Sequence, residues 1–248
     1  MVPGPRGALE IYEDSGYLCF CFAANRLMMQ GAMHRDRPLD FRFEYLRLMT
    51  AALAAHPAPS RVLALGLGAG ALPRLTRALL PEAEIDVVEI DPVVVSIARD
   101  HFDLGDDDDP RLRVHTADAR DFVTAHLAGG GWDVVFVDCY DPVSVPAHLA
   151  NIGFLRAVSR AAGAGAIIVT NLVCTHPGYE GLRRGWRRVL GQAWMLPALR
   201  RTNRVVFGPT VGALQIAPML SRARALDAPR RLPFALGDCL ARATPMTD

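Results

Sequence analysis

The chain has 248 residues, of which 51% are hydrophobic and 21% are charged, a composition typical of globular proteins rather than of disordered or fibrous ones. All 27 basic residues are arginine, and the lack of lysine excludes Schiff-base chemistry, pyridoxal phosphate anchoring and the phosphate-binding lysine of a P-loop. With 26 acidic residues the net charge is only +1, so nucleic acid is not an expected partner.

The N-terminal part of the chain is predicted to form a small β-hairpin unit followed by a helix. Apolar and aromatic residues across 8–31 flank a turn sequence at 14–16, which is typical of short strands joined by a tight turn. Apolar residues at helical spacing follow over 43–55 and end at a cluster of proline and serine. We therefore predict two units, residues 1–58 and residues 59–248.

The second unit begins with a regular alternation of predicted strands and helices. Strands are predicted at 62–65, 85–90, 112–115, 134–137 and 166–172, and helices at 72–80, 93–102, 120–127 and 154–161. Strands that alternate with helices form parallel βαβ units, whose sheet is covered by helices on both faces. The sequence therefore predicts an α/β fold with a Rossmann-like, doubly wound and mostly parallel sheet.

The remainder of the chain has a weaker pattern. A helical stretch is predicted after Gly178, and its Trp186 and Trp194 are interpreted as core residues rather than as base-stacking platforms. Two further strands, Arg204–Phe207 and Gly212–Ile216, are predicted to form an antiparallel pair at the sheet edge. No assignment follows for residues 218–248.

The cysteine, histidine and apolar patterns bear on compartment and metal content. The five cysteines include no CxxC pair, and the seven histidines have no metal-ligand spacing, so neither a disulfide framework nor a metal is predicted. The longest apolar stretch, Ala161–Val173, is too short to span a membrane and contains polar residues. We expect neither a signal peptide nor a membrane span, and we predict a cytoplasmic protein.

Charge is distributed unevenly along the chain. Residues 82–109 contain eleven acidic residues and a single arginine, whereas residues 183–204 contain seven arginines and no acidic residue. Two interpretations remain open: both segments are solvated faces, or the first lies near a cationic ligand and the second near an anionic partner.

A glycine-rich loop follows the first predicted strand of the second unit. Gly66, Gly68 and Gly70 precede a predicted helix, where glycines let the backbone approach a ligand and the helix N-terminus offers free N–H groups. Nineteen residues after Gly70 comes Glu89, at the end of the next strand, where a carboxylate can accept hydrogen bonds from both ribose hydroxyls. By itself, the glycine-rich loop is also consistent with a simple tight turn. The combination of the loop with Glu89 favours a nucleotide site.

Acidic residues also follow the next two strands. Asp118 lies after the third strand, where its carboxylate can accept the adenine amino group, and Asp138 and Asp141 follow the fourth. Acidic groups at three adjacent strand ends suit a positively charged sulfonium nucleoside better than a pyrophosphate. Asp118 also has the sequence context of a helix N-cap, and Asp91 before Pro92 is interpreted as a cap alone.

These residues resemble the polyamine aminopropyltransferase family, typified by spermidine synthase, within the class I methyltransferase fold. The resemblance covers about residues 26–175, and its most specific elements are the sequences at 88–91 and 137–142. It implies that Glu89 holds the ribose and that Asp118, with Ala119 beside it, holds the adenine of S-adenosylmethionine or its decarboxylated form.

The resemblance also implies roles around the reacting atoms. Asp138 would be the catalytic base and Asp141 would bind the acceptor amine. Gln30 matches the glutamine of the family that contacts the nucleoside, and Tyr45 matches its substrate-pocket tyrosine. The segment after Pro142 would be a gate loop, and the family is typically dimeric, so a homodimer is expected.

The sequence departs from the family pattern at two points. Ala69 stands where the family has an aspartate that binds the aminopropyl ammonium, so a charge partner for decarboxylated S-adenosylmethionine is missing, and so is a repulsion against the carboxylate of S-adenosylmethionine. Leu46 and Arg47 follow Tyr45, where the polyamine enzymes have polar and acidic residues. An arginine would repel a diamine.

The chemistry of alkyl transfer assigns further roles. The alkyl group of a sulfonium is already activated, so the protein must mainly align it with the nucleophile. A primary amine, with a pKa of about 10.4, must lose a proton before it attacks, and Asp138 is placed to take that proton. Tyr140 is interpreted either as an aromatic face for the cation or as a packing residue. Cys139 has no paired histidine, which disfavours it as a nucleophile.

Three functional hypotheses follow from the sequence. The first is a transferase that moves an aminopropyl or related group from a sulfonium nucleoside to a small-molecule amine. The second is an S-adenosylmethionine-dependent methyltransferase of small molecules, which uses the same nucleoside site. The third is a non-catalytic module that binds the nucleoside, or a partner through the arginine-rich segment.

Overall fold

Two β-sheets of different size form the framework of the protein in a computed structural model that describes residues 1–24, 29–105, 109–128, 130–140, 145–199, 202–229 and 231–247. The smaller sheet is antiparallel, with strands β1 (Leu9–Asp14), β2 (Tyr17–Phe22) and β3 (Met29–His34) in that order. The turn between β1 and β2 has positive φ angles at Ser15 and Gly16, as a tight hairpin turn requires. The predicted N-terminal hairpin is thus confirmed.

The larger sheet has eight strands, and helices connect most of them. Its strands are β4 (Arg61–Leu65), β5 (Glu84–Glu89), β6 (Leu112–Thr116), β7 (Val134–Val137), β8 (Ile167–Val173), β9 (Trp194–Pro197), β10 (Asn203–Pro209) and β11 (Thr244–Pro245). The helices are α1 (Glu44–Ala51), α2 (Ala71–Leu79), α3 (Pro92–His101), α4 (Ala119–Ala125), α5 (Ile152–Ala162), α6 (Tyr179–Val189), α7 (Ile216–Asp227) and α8 (Leu236–Leu240). A 3-10 helix, Ala52–Ala55, continues α1.

The strand order of the large sheet is β11-β9-β10-β8-β7-β4-β5-β6. The five strands β4 to β8 pair in parallel, and β9, β10 and β11 pair antiparallel to their neighbours. The chain runs outward from β4 to β6 and then returns to start β7 on the other side of β4. This reversal leaves a crevice at the carboxyl ends of β4 and β7, where α/β sheets bind ligands. The predicted doubly wound α/β fold is confirmed.

The two faces of the large sheet bury separate apolar clusters. Val62 and Ala64 of β4 pack towards α1, α2, α3 and the small sheet, while Leu63 and Leu65 pack towards α4, α5 and α6. Because successive side chains of a strand point to opposite faces, a strand buried on both faces is apolar throughout. The apolar side chains of α1 share the first cluster with those of β4, and the predicted division at residue 58 stays a prediction.

The predicted antiparallel pair at the sheet edge is half right. β10 forms as predicted, but the prediction of a strand at Gly212–Ile216 is wrong, because α7 begins at Ile216 and Gly212 has a φ of +85°. The partner of β10 is β9, whose first residue, Trp194, we predicted to be helical. Burial alternates along β9, as it does in a strand, and the core prediction for Trp186 and Trp194 is confirmed.

Polar caps fix the helices that follow the central strands. Asp91 accepts a hydrogen bond from the N–H of Val93 (2.9 Å), and Pro92 occupies the first turn of α3, as predicted. Asn151 caps α5 through the N–H of Phe154 (3.1 Å). Within the described ranges, no helix has both the length and the apolar character that a membrane crossing requires.

Candidate functional site

A cavity of about 1300 Å³ opens at the carboxyl ends of the central strands, in the crevice beside β4 and β7. It is lined by most of the residues that the sequence singled out: Gln30, Tyr45, Gly66, Gly68, Glu89, Asp118, Ala119, Asp138 and Tyr140. Gly70 is not among the described residues that line the cavity. The predicted acceptor-binding Asp141, together with Pro142, lies outside the described residues.

The glycine loop lies against the loop that carries Asp138. Gly66 has a φ of +95°, and a Cβ atom there would lie 2.3 Å from the carbonyl oxygen of Asp138. Only glycine fits such an approach of two backbones. Gly70 has a different role: its φ of +68° starts α2, and a Cβ atom would meet the side chain of Leu104 rather than the cavity.

Position 69 is closed in by strand β3. A Cβ atom at Gly31 would lie 2.5 Å from the Cβ atom of Ala69, and Ala69 is buried. The backbone of β3 thus lies directly against the glycine loop. Ala69 also lines the cavity, so it lies between β3 and the cavity.

Glu89 connects the end of β5 to the glycine loop. Its Oε2 accepts a hydrogen bond from the N–H of Leu67 (3.0 Å) and its Oε1 accepts one from the N–H of Asp91 (3.0 Å). Burial raises the pKa of this carboxyl, although the backbone hydrogen bonds oppose the shift. Because each carboxylate oxygen has two acceptor positions, Glu89 retains capacity to bind a further donor from a ligand.

Asp118 is both a helix cap and an ion-pair partner. Its Oδ1 accepts hydrogen bonds from the N–H groups of Arg120 (2.8 Å) and Asp121 (3.3 Å) at the start of α4. Its Oδ2 lies 2.8 Å from Nε2 of His148, which also lines the cavity. Burial alone would raise the pKa of Asp118, but these hydrogen bonds outweigh it and lower that pKa. The predicted N-cap is present in addition to any role in binding.

Asp138 lies in the wall of the cavity directly after β7. Its Oδ1 accepts a hydrogen bond from Nδ2 of Asn171 (3.0 Å), and the hydroxyl of Tyr45 donates a second hydrogen bond. Burial raises the pKa of Asp138, and the two hydrogen bonds partly offset that shift. A buried carboxyl with a raised pKa is suited to accept a proton.

The two residues after Asp138 are less suited to chemistry. The hydroxyl of Tyr140 donates to the carbonyl of Asn171 (2.9 Å) and accepts from the N–H of Val173 (3.1 Å), so it anchors this loop to β8. Burial raises the pKa of Cys139 well above its usual value, because a thiolate is poorly solvated there. A Cys139 nucleophile is therefore disfavoured by the geometry as it was by the sequence.

The sequence did not identify the side of the cavity built from β8, β10 and the C-terminal helices. Asn171 and Asn203 lie there, as do Phe234, Asp238 and Arg242. Arg242 forms an ion pair with Glu44 of α1 (2.7 Å), which holds α8 beside the cavity. The signal in the sequence is the pair Thr170 and Asn171, two polar residues near the carboxyl end of a mostly apolar strand.

Arg47 is partly neutralised by other residues. Its Nη2 lies 3.2 Å from Oδ1 of Asp40 and donates to the carbonyl of Phe41 (2.9 Å). Its guanidinium also lies over the ring of Phe234, 5.4 Å from the centroid. The like-charge repulsion that we expected between Arg47 and a diamine is therefore reduced.

Comparisons with known proteins agree with this geometry. The spermine/spermidine synthase domain family matches residues 43–180. A polyamine aminopropyltransferase from Vibrio vulnificus is 30% identical, and the match covers 92% of this chain and 77% of the relative. A probable spermidine synthase from Corynebacterium glutamicum has a similar structure (TM-score 0.73, 21% identity), which covers 89% of this chain and 85% of that one. Human methyltransferase-like protein 13, solved in complex with SAH, has a TM-score of 0.67 and 27% identity over 78% of this chain and 95% of that one.

Proposed function

Because the chain belongs to the spermine/spermidine synthase family and is a transferase enzyme of that type, we propose that it moves an aminopropyl or related alkyl group from a sulfonium nucleoside to a small-molecule amine. The observation that carries this proposal is the half-buried carboxylate of Asp138, hydrogen-bonded by Tyr45 and Asn171 in the wall of a large cavity beside the glycine loop. A partly desolvated base next to a nucleoside site suits amine alkylation.

The nucleoside binds, in this proposal, across the carboxyl ends of β4, β5 and β6. Glu89 accepts the ribose hydroxyls, and Asp118 and Ala119 face the adenine. Since Oδ2 of Asp118 is already engaged by His148, adenine shares or replaces that contact. Gln30 lines the cavity on the side of β3, next to the sulfonium group.

The transfer step follows from the position of Asp138. The carboxylate accepts a proton from the ammonium group of the acceptor, which frees the nitrogen lone pair. The nitrogen then attacks the carbon beside the sulfonium; a C–N bond forms, the C–S bond breaks, and its electron pair neutralises the sulfur. The nucleoside leaves as a neutral thioether. Alignment of the two reactants in the cavity lowers the barrier further.

The experiment that tests the proposal is mass spectrometry of the nucleoside product. The purified protein is incubated with S-adenosylmethionine or its decarboxylated form and a panel of amines. Methylthioadenosine as the product supports the transfer of the propyl side of the sulfonium. Absence of any nucleoside product with every pair, under conditions where the nucleoside binds, contradicts the proposal and favours a binding module.

A second candidate function is S-adenosylmethionine-dependent methyl transfer. It is favoured by Ala69, which leaves no carboxylate to bind an aminopropyl ammonium at that position, and by the similarity to human methyltransferase-like protein 13. This function uses the same nucleoside site and the same base. S-adenosylhomocysteine as the product would identify it in the experiment above.

Glu89→Gln is expected to weaken nucleoside binding by about 10- to 100-fold. The amide NH₂ would face either the N–H of Leu67 or that of Asp91, so one backbone contact of the glycine loop is lost along with a ribose acceptor. Isothermal titration calorimetry with S-adenosylhomocysteine and with methylthioadenosine measures the change. Glu180→Gln, an exposed carboxylate on α6, is the control and should bind like the wild type. Unchanged affinity of Glu89→Gln would contradict the ribose-binding role.

A further inference from the structure

A chain of side-chain hydrogen bonds leads from β10 to the carboxylate of Asp138. Oδ1 of Asn171 accepts a hydrogen bond from Nδ2 of Asn203 (2.9 Å), while Nδ2 of Asn171 donates to Asp138 (3.0 Å). The hydroxyl of Thr202 in turn donates to Oδ1 of Asn203 (2.9 Å). Asn171 is buried, so water does not substitute for these partners without rearrangement.

The orientation of each amide in this chain determines the next. A carboxylate only accepts hydrogen bonds, so Asn171 must turn its NH₂ group towards Asp138. Its oxygen then points to Asn203, which must present its own NH₂ group. Asn203 therefore selects the amide orientation that stabilises the ionised form of Asp138, although it does not contact Asp138 in the hydrogen-bond chain.

We propose that Asn203 is a positioning residue for the base Asp138, acting by fixing the orientation of the Asn171 amide. This inference rests on the proposed role of Asp138 in proton transfer. It extends the site to β10, on the far side of β8 from the base, and it assigns a role to a residue that acts on the base through Asn171.

Other groups around Asp138 do not supply this orientation. Tyr45 on α1 donates to the carboxylate from another direction, and Cys139 and Tyr140 belong to the same loop as the base. The nearby acidic groups are Glu89 at the end of β5 and Asp118 after β6, which act on this loop through charge alone. Of the residues just named, Tyr140 contacts the backbone carbonyl of Asn171, and none is a hydrogen-bond partner of Oδ1 of Asn171, which accepts from Asn203.

Asn203→Asp is the decisive variant, because it has the same shape and reverses the hydrogen-bond polarity. Its carboxylate cannot donate to Asn171, so the Asn171 amide turns over and presents its oxygen to Asp138. The ionised form of Asp138 is then disfavoured. We expect the acid limb of the kcat–pH profile to move up by about one pH unit, with kcat about tenfold lower below that limb and the KM for the nucleoside unchanged.

Two further variants separate the reorientation of the Asn171 amide from the direct effect of the added negative charge. Asn203→Ala removes the donor without adding charge and should shift the limb in the same direction by a smaller amount. In an Asn171→Ala background, Asn203→Asp should shift it far less than in the wild type, as a double-mutant cycle measures. Gln192→Glu makes the same amide-to-carboxylate change outside the cavity, where Oε1 still accepts from Leu214, and should leave the profile unchanged.

The outcomes distinguish this inference from the proposed function. If Asp138→Asn is inactive but Asn203→Asp has a wild-type pH profile and kcat, the positioning role of Asn203 is wrong and Asp138 remains the proposed base. If Asn203→Asp shifts the acid limb equally in the wild-type and Asn171→Ala backgrounds, the positioning role is also wrong, because the added negative charge alone then explains the shift. If Asp138→Asn keeps full activity, Asp138 is not the base and this inference fails with that role. The proposed function itself fails only if the wild-type protein forms no nucleoside product. Thermal unfolding of each variant checks that the fold is retained.

Discussion

Replacing Asp138 by asparagine is expected to lower the rate of group transfer by about 10²- to 10⁴-fold, the usual contribution of a general base. The amide has nearly the shape of the carboxyl and still meets Tyr45 and Asn171, but it cannot take a proton from an ammonium group. The nucleoside contacts proposed for Glu89 and Asp118 are not altered by this substitution. We therefore expect a large loss of kcat and nearly unchanged nucleoside affinity.

The pH dependence of the rate is a second test of Asp138 as the base. Burial raises the pKa of Asp138, so its ionised, basic form is lost on acidification at a higher pH than for an exposed aspartate. The wild-type rate should fall as the pH decreases through that raised pKa. In Asp138→Asn the residual activity should lack this limb.

Single-turnover kinetics with a saturating nucleoside measure the effect, and calorimetry measures binding. Asp121→Asn is the matched control, because Asp121 is an exposed carboxylate in the first turn of α4, outside the residues that line the cavity. It should retain wild-type kinetics. A rate for Asp138→Asn within threefold of wild type would show that Asp138 is not the base of the transfer reaction.

The parts of the fold that could be predicted are those set by local pattern. The five central strands are rich in apolar residues because both faces of the sheet are covered, and each is followed by a helical period. The glycine loop and the acidic residues at strand ends lie in one crevice because parallel strands bring their carboxyl ends together. That reasoning predicts Glu89, Asp118 and Asp138 around one site, and in the structure all three line one cavity.

The parts that could not be predicted depend on partners far apart in the sequence. β9 was missed because its pairing with β10 and the burial of Trp194 arise only when the sheet is assembled. Asn203 reaches the site through Asn171, 32 residues earlier, and Arg242 through Glu44, 198 residues earlier. No local spacing encodes either contact.

The role of the acidic segment 82–109 also depends on contacts that the local sequence does not reveal. The sequence left open a solvated face or a site near a cationic ligand. In the structure, arginines of this chain pair with several of these acids: Arg111 with Glu82, Arg113 with Glu84 and Asp86, and Arg77 with Asp109. Glu89 and Asp91 line the cavity. Four of the eleven acidic residues are thus paired with arginines of the chain, and two lie at the cavity.

A large effect on stability is expected from a substitution of Asp86, because Asp86 is the buried centre of a polar cluster. Its Oδ1 accepts from Nε of Arg113 (2.9 Å) and lies 2.9 Å from Nε2 of His115, and its Oδ2 accepts from Nε1 of Trp132 (2.9 Å). Its side chain is only 7% exposed. Although burial opposes it, these hydrogen bonds lower the pKa of Asp86 to about 2.

Asp86→Asn is expected to lower the free energy of unfolding by about 3 kcal/mol at neutral pH. The amide NH₂ would face either Arg113 and His115 or the buried Trp132, so at least one of these donors loses its acceptor and the buried amide is left with a mismatched partner. Denaturant unfolding followed by circular dichroism measures the loss. Glu82→Gln removes the exposed ion pair with Arg111 on the same pair of strands and should cost less than about 0.5 kcal/mol.

The pH dependence of stability tests whether charge is the cause. Since the pKa of Asp86 is lower in the folded protein than in the unfolded chain, its stabilisation is complete above about pH 4 and is lost as the pH falls towards 2. That difference corresponds to about 2 kcal/mol. The gap in unfolding free energy between wild type and Asp86→Asn should therefore narrow over this range, while the gap for Glu82→Gln stays small. A gap that is constant from pH 7 to pH 2 would mean that shape and packing, not the ionised carboxylate, hold β5, β6 and Trp132 together.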